Sequence, residues 1–164
     1  MSGAEYRLTP SESVTVKRSE PEVLEVEAVY GPEGSPPPKH LHPAQDERFT
    51  IVEGRLTTRV DGVERELGEG EVLEIPRGSE HQMWNASPEP AVVRWETLPA
   101  GRTEQWFREV DALQREAGDG RPSPLAFGVL LDEYADTFKL AVGPQPLMGP
   151  ATKLLGALGR LRSR

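Results

Sequence analysis

The chain has 164 residues, of which 27 are acidic and 19 basic, for a formal net charge of −8. This length predicts one domain with a substantial core, and the acidic balance argues against a nucleic-acid-binding protein, which would need a basic face. Cysteine is absent, so disulfides, thiolate zinc sites and cysteine nucleophiles are excluded. Because the first residues lack the pattern of a signal peptide and no apolar run reaches roughly 18 residues, we expect a cytoplasmic protein.

Residues 1–20 predict an N-terminal arm and an edge strand. The first 12 residues are mostly polar, whereas Ser13 to Lys17 alternate polar and apolar side chains, as in a strand with one buried face. Residues 23–30 predict a second strand. Its apolar face, which we expect to point into the core, comprises Leu24, Val26, Ala28 and Tyr30.

Two histidines follow a stiff loop that contains three consecutive prolines at 36–38. Since side chains two apart in an extended strand point to the same face, His40 and His42 are expected to aim two imidazoles at one point. Glu47 then opens the next strand, and alternation places Phe49 and Ile51 on its face. A carboxylate is therefore expected at the end of an otherwise apolar row.

A hairpin is predicted by the dipeptide Asp61-Gly62, which lies between the alternating segments 55–60 and 63–67. Asp-Gly in this position is the strongest short-range hairpin signal, because both residues tolerate the left-handed backbone that the tight turn requires.

Three further short strands are predicted after the hairpin. The strand at 71–75 should point Leu73 inward, and His81 opens a run in which Met83 shares its face. Residues 91–97 alternate as well, but the pattern leaves open which of the two faces is buried.

Two helices are predicted in the C-terminal part. Thr103 is expected to cap a helix over 104–117, and Ser123 followed by Pro124 to start a second helix that runs through Phe138. Helical spacing gives the first helix a stripe of Trp106, Val110, Leu113 and Ala117. The stripe of the second comprises Phe127, Leu131, Tyr134, Ala135 and Phe138.

The tail at 147–164 has leucines at helical spacing and only basic charged residues. We expect it to pack against the second helix or a partner subunit. Peripheral contact with an anionic membrane surface and fraying are the alternatives.

The histidines belong to a longer pattern. The spacing Gly34-x5-His40-x-His42-x4-Glu47-x6-Gly54, followed by Gly70-x5-Pro76-x-Gly78-x2-His81-x3-Asn85, resembles the two signature motifs of the cupin superfamily with every specified position filled. The resemblance implies a mainly β fold: a jelly-roll β-barrel over 21–100, with a C-terminal helical extension at 101–164. By the same match, His40, His42, Glu47 and His81 would be metal ligands, and the glycines, Pro76 and Asn85 would form turns.

Three imidazoles and one carboxylate suit a single divalent Fe, Mn, Ni, Co or Zn ion, and suit Ca or Mg poorly. Our leading hypothesis is a metal-dependent dioxygenase-like enzyme acting on a small organic substrate, in which Glu47 could also act as a catalytic base. Phe49, Ile51, Leu73 and Met83 would form an apolar substrate pocket. The alternatives are a non-redox isomerase or lyase acting on a sugar or oxo acid, and a non-catalytic small-molecule-binding cupin. By analogy to the fold, we also expect a homodimer.

Overall fold

The computed structural model describes residues 3–141. Its helices are α1 (Thr103–Ala117) and α2 (Pro124–Glu133). Neither is long and apolar enough to cross a bilayer. The strands are β1 (Glu5–Thr9), β2 (Glu12–Glu20), β3 (Val23–Tyr30), β4 (His40–Leu41), β5 (Asp46–Glu53), β6 (Arg55–Val60), β7 (Val63–Gly68), β8 (Val72–Ile75), β9 (His81–Trp84), β10 (Ala91–Leu98) and β11 (Lys139–Leu140).

The strands form two antiparallel sheets, in the orders β1-β2-β3-β10-β5-β8 and β11-β4-β9-β6-β7. Side chains from both sheets meet in one hydrophobic core, which α1 and α2 extend. This arrangement confirms the predicted mainly β fold of jelly-roll type with C-terminal helices. The predicted inward row of β3 is buried along its whole length.

The strand β10 lies between β3 and β5, and the structure settles which of its faces is inside. Val93 and Trp95 are buried, whereas Arg94 is exposed and pairs with Glu25 of β3. Trp95 stands opposite Phe49 of β5 in the register. An inward Trp95 matters for function because β5 carries the carboxylate of the candidate site.

The predicted hairpin is confirmed. Val60 pairs with Val63 across the turn, and Asp61 and Gly62 have φ values of 47° and 83°. Both lie in the left-handed region, as the tight turn requires.

The motif residues outside the ligand set shape turns, in agreement with their predicted role. Gly54 has a φ of 79°, and a Cβ atom there would lie 2.6 Å from the carbonyl oxygen of Pro90. Asn85 uses its side-chain amide to bind the carbonyl oxygens of Tyr30 and Glu89. These contacts join the end of β9 to the end of β3 and to the segment that leads into β10.

The structure corrects the prediction of an N-terminal arm, because residues of this segment form a hairpin within the larger sheet. β1 is the edge strand and β2 the second strand, and Tyr6 and Val14 are buried. The helix α1 packs on this hairpin, and the backbone amide of Arg7 donates a hydrogen bond of 2.7 Å to Asp111. The mostly polar sequence hid this strand because its stability depends on α1, which is distant in the chain.

The helix α1 starts near its predicted position but without the predicted cap. Arg102 occupies the N-cap position and makes no capping hydrogen bond with its side chain, while Thr103 is already helical. The Thr103 hydroxyl is buried and has no partner among the described residues. Gly118 ends the helix as predicted. The buried residues are Thr103, Trp106, Phe107, Val110 and Gln114, of which Phe107 and Gln114 were missed.

The helix α2 begins as predicted, since the Ser123 hydroxyl accepts a hydrogen bond of 3.5 Å from the amide of Ala126. It ends at Glu133 rather than Phe138, which corrects the prediction. Residues 139–140 are extended and pair with β4, so the sheet supplies backbone partners that compete with a longer helix. The segment after residue 141, including the predicted amphipathic tail at 147–164, lies outside the described residues.

Candidate metal centre

The three histidines of the chain come together in one cluster. His40 of β4 stands opposite His81 of β9 in the register, and His42 follows β4 directly. One nitrogen from each ring lies within 4.8 Å of the corresponding nitrogens of the other two. His40 and His42 therefore point to the same place, as their spacing of two residues predicts. Their ring centroids are 5.2 Å apart.

Glu47 reaches the same cluster from the other sheet. Its Oε1 lies 3.2 Å from Nε2 of His42, and its Oε2 lies 3.1 Å from Nε2 of His81. Because β5 and β9 belong to different sheets, the four side chains meet between the sheets. His42, Glu47 and His81 are buried there, and His40 is partly exposed.

Backbone carbonyl groups orient all three imidazoles. Nδ1 of His42 lies 2.8 Å from the carbonyl oxygen of Thr137, Nδ1 of His81 lies 2.9 Å from that of Ser79, and Nδ1 of His40 lies 3.3 Å from that of Pro38. A carbonyl oxygen can only accept, so each Nδ1 carries the proton. The neutral ring then has a lone pair on Nε2. This arrangement is the usual support for metal-binding histidines.

The cluster contains acceptors that lack donors. Nε2 of His42, Nε2 of His81 and Oε2 of Glu47 are buried without a hydrogen-bond partner among the described residues. Although His81 and Glu47 lie within contact distance, a neutral Nε2 has no proton to give, so two electron-rich atoms face each other. Buried acceptors of this kind are costly unless a cation satisfies them. The residues therefore fit a metal ion.

The pKa values of the clustered side chains agree with a metal site. Burial raises the pKa of Glu47, but the neighbouring imidazoles lower it more, so that it falls to about 2. Burial and the two other histidines hold the pKa of His40 well below its usual value. Burial also lowers the pKa of His81, but the nearby Glu47 carboxylate raises it more, so without a metal ion a proton on Nε2 of His81 is the competing cation.

Trp95 fixes the orientation of the carboxylate. Its indole Nε1 donates a hydrogen bond of 3.0 Å to Oε1 of Glu47, which leaves Oε2 as the carboxylate oxygen without a donor. The ring itself is held between Phe49, at a centroid distance of 5.3 Å, and Phe107, at 5.1 Å. Sequence reasoning missed this role, because the alternation of β10 suggested a face for Trp95 but no partner for its N–H group.

A cavity of about 220 Å³ adjoins the cluster, and all four candidate ligands line it. Of the predicted pocket residues, Phe49 and Met83 line the cavity, whereas Ile51 and Leu73 are packed in the hydrophobic core and are not among its lining residues. Much of the wall comes from the C-terminal part of the chain and was not foreseen. That part contributes Trp106, Phe107, Val110, Phe127, Phe138 and Leu140.

The comparisons with known proteins agree with the fold. Residues 26–98 match the family model described as "Cupin domain". The structure of an RmlC-like cupin from Shewanella frigidimarina superimposes with a TM-score of 0.55 at 18% identity, covering 62% of this chain and 88% of the other. The family match and the two facing antiparallel sheets together support the cupin resemblance for residues 26–98.

Two curated fungal relatives carry oxidoreductase names. The chain is 47% identical over 49 residues to "Oxidoreductase iacF" of Pestalotiopsis fici, covering 29% of this chain and 24% of that protein. It is 27% identical over 117 residues to "Probable oxidoreductase virH" of Hypocrea virens, covering 67% of this chain and 53% of that protein. The matches thus span about a quarter and about half of the length of these relatives.

Proposed function

We propose that this protein is a metal-dependent oxidoreductase of the dioxygenase type, which acts on a small organic substrate with an aromatic or other apolar body. The observation that carries the proposal is that a buried cluster of three imidazoles and one carboxylate opens directly onto a cavity with mainly apolar walls. The oxidoreductase names of iacF and virH support the reaction class.

In this proposal His40, His42, Glu47 and His81 hold one divalent transition-metal ion. The mixed nitrogen and oxygen set suits Fe, Mn, Ni, Co or Zn. Four protein ligands would leave positions open on a six-coordinate ion, and a redox-active ion supplies the activation of substrate and O₂ when bound.

The chain itself orients these groups. The carbonyl oxygens of Thr137 and Ser79 fix the rings of His42 and His81, and Trp95 fixes Glu47. Oε2 of Glu47 is the carboxylate oxygen that would bind the ion and, if released from it, accept a proton. The mainly apolar wall lowers the local dielectric constant, which strengthens each electrostatic interaction within the site.

The cavity volume suggests the size of the substrate. An apolar cavity of about 150 Å³ accommodates benzene, so about 220 Å³ suits a molecule of one or two rings. A sugar or oxo acid would need more hydrogen-bonding groups than this wall offers. The aromatic substrate is therefore favoured over the isomerase or lyase alternative.

The test is oxygen consumption by protein that has been loaded anaerobically with each of the five metals. A panel of catechols, flavonoids and diketones provides candidate substrates, and the His81→Ala variant provides the control for metal bound elsewhere. We expect uptake of O₂ that requires both the metal and one substrate class. If no metal supports uptake, yet members of the panel bind in calorimetry, the protein is a binding cupin and the oxidoreductase proposal fails.

A further inference from the structure

A second polar group lines the cavity and plays no part in the metal cluster. Glu12 of β2 and Tyr30 of β3 are register partners in adjacent strands, and both side chains line the cavity. The two side chains interact, since Tyr30 lowers the pKa of Glu12 and Glu12 raises that of Tyr30. Neither β2 nor β3 carries a candidate metal ligand, so this pair lies outside the ligand set.

The backbone of Tyr30 lies away from the metal cluster along the strands. Asn85 binds its carbonyl oxygen and lies four residues after His81, which corresponds to roughly 13 Å of extended chain. The cavity-lining residues between these two points are apolar: Met83 follows His81 on the inward face of β9, and Phe49 follows Glu47 on the inward face of β5. The cavity therefore has two groups of ionisable side chains, the metal cluster and the Glu12–Tyr30 pair, among mainly apolar lining residues.

We propose that Glu12 and Tyr30 form a substrate-specificity site that binds a hydroxyl group at the end of the substrate remote from the metal. A carboxyl group beside a phenol offers both a donor and an acceptor, and a hydroxyl group is complementary to both. The proposal rests on the proposed function of the same cavity. It narrows the substrate to a planar apolar molecule with one oxygen group for the metal and a hydroxyl group at the opposite end.

The environment of the carboxyl group agrees with a binding role. Tyr30 is buried, whereas Glu12 keeps part of its surface accessible, and Glu12 is one of the residues that line the cavity. Burial raises the pKa of Glu12 to about 7, although the neighbouring Tyr30 phenol lowers it. Near neutral pH the group can therefore donate or accept, while burial and the nearby acids keep the phenol of Tyr30 protonated by raising its pKa.

The test compares two probes, 2-naphthol and 2,6-dihydroxynaphthalene, by calorimetry with zinc-loaded protein. The probes share one ring system and one metal-directed hydroxyl, so they differ in the remote hydroxyl alone. We expect the dihydroxy probe to bind about tenfold more tightly, the effect of one buried hydrogen bond. Glu12→Leu and Tyr30→Phe should each remove most of this preference and leave the affinity for 2-naphthol within about twofold.

The matched control is Glu27→Leu, which makes the same change on β3 at a position of opposite parity to Tyr30, where the side chain pairs with Lys17. It should keep the full preference. A preference that persists in both site variants, or the absence of binding by either probe to folded, zinc-loaded protein, would overturn the proposal.

Metal content and oxygen uptake are measured separately. A Glu12-dependent preference without oxidation therefore contradicts the oxidoreductase function alone, and oxidation without the preference contradicts this specificity site alone.

Discussion

The carbonyl oxygen of Thr137 accepts a hydrogen bond of 2.8 Å from Nδ1 of His42, a residue 95 positions earlier in the chain. A candidate metal ligand of the cupin domain is thus oriented by the C-terminal extension. The turn before Thr137 is itself held by Arg102, which donates to the carbonyl oxygen of Glu133 and pairs with Asp136. The extension is therefore part of the candidate metal centre.

Phe138 is predicted to support the metal centre by stacking on His40. The two rings lie 4.7 Å apart with an interplanar angle of 18°. Phe138→Ala should lower metal affinity by roughly two- to tenfold, the effect of one aromatic contact, as measured by competition with a chelator. Phe127→Ala is the control, because Phe127 lines the same cavity and contacts Trp106 rather than a histidine. Equal losses in the two variants would mean that the stack has no specific role.

Trp95→Phe should separate the hydrogen bond to Glu47 from the packing of the ring. The variant keeps an aromatic side chain between Phe49 and Phe107 but removes the donor to a buried carboxylate, which costs about 1.5–3 kcal/mol in the metal-free protein. We also expect roughly tenfold weaker metal binding, as is typical when the partner of a ligand is lost.

Urea unfolding and chelator competition would measure these two effects. Trp84→Phe is the control, since it makes the same change in a buried tryptophan of β9 that makes no hydrogen bond to Glu47 among the described residues. Unchanged metal affinity in Trp95→Phe would show that the carboxylate does not need this donor.

The metal content of protein purified without chelator should be close to one transition-metal ion per chain. His81→Ala should lose most of it, because this substitution removes one of the three imidazoles of the cluster. Elemental analysis provides the measurement, and Ser79→Ala provides the control, since it keeps the carbonyl group that orients His81. Full occupancy in His81→Ala would contradict the assignment of this ligand.

Glu12 is predicted to make folding stability depend on pH. Its pKa rises from 4.5 in the unfolded chain to about 7 in the folded protein, so the folded state binds the extra proton between these values. This contribution to the free energy of unfolding, at most roughly 3 kcal/mol, is fully present below about pH 4.5 and is lost as the pH rises through 7.

Urea unfolding at a series of pH values between 5 and 8 would check this prediction. Glu12→Gln cannot titrate, so the stability difference between the natural protein and the variant should change by 1 kcal/mol or more across this range, on the order of the shift. A constant difference would mean that the folded carboxyl group has an ordinary pKa.

The sequence could predict those features of the site that depend on local geometry. Alternation with a period of two residues brought His40 and His42 to one point, and it put Glu47 on the same face as Phe49. The Asp61-Gly62 turn followed from backbone preferences that operate within four residues. Each of these inferences concerns neighbours in the chain, for which strand and turn geometry leaves few alternatives.

The alternation of side chains predicts which face of a strand a residue occupies. It could not predict how far along the strand the cavity extends. Ile51 and Leu73 do point inward, as predicted, but they are packed in the core, whereas Phe49 and Met83 reach the cavity. The face of a residue is a local property. Its depth relative to a cavity depends on how the two sheets and the helices come together.

The tertiary structure alone decided the contacts that complete the site. The hydrogen bond from Trp95 to Glu47 spans 48 positions and that from His42 to Thr137 spans 95, and neither leaves a repeating pattern in the sequence. The early end of α2 has the same origin, because β4 offers residues 139–140 backbone partners that local helix preference cannot anticipate. The sequence alone therefore determined the set of candidate ligands. Only the packing of distant segments decided how those ligands are oriented and which side chains enclose the cavity, because such contacts depend on surfaces that form when the whole chain folds.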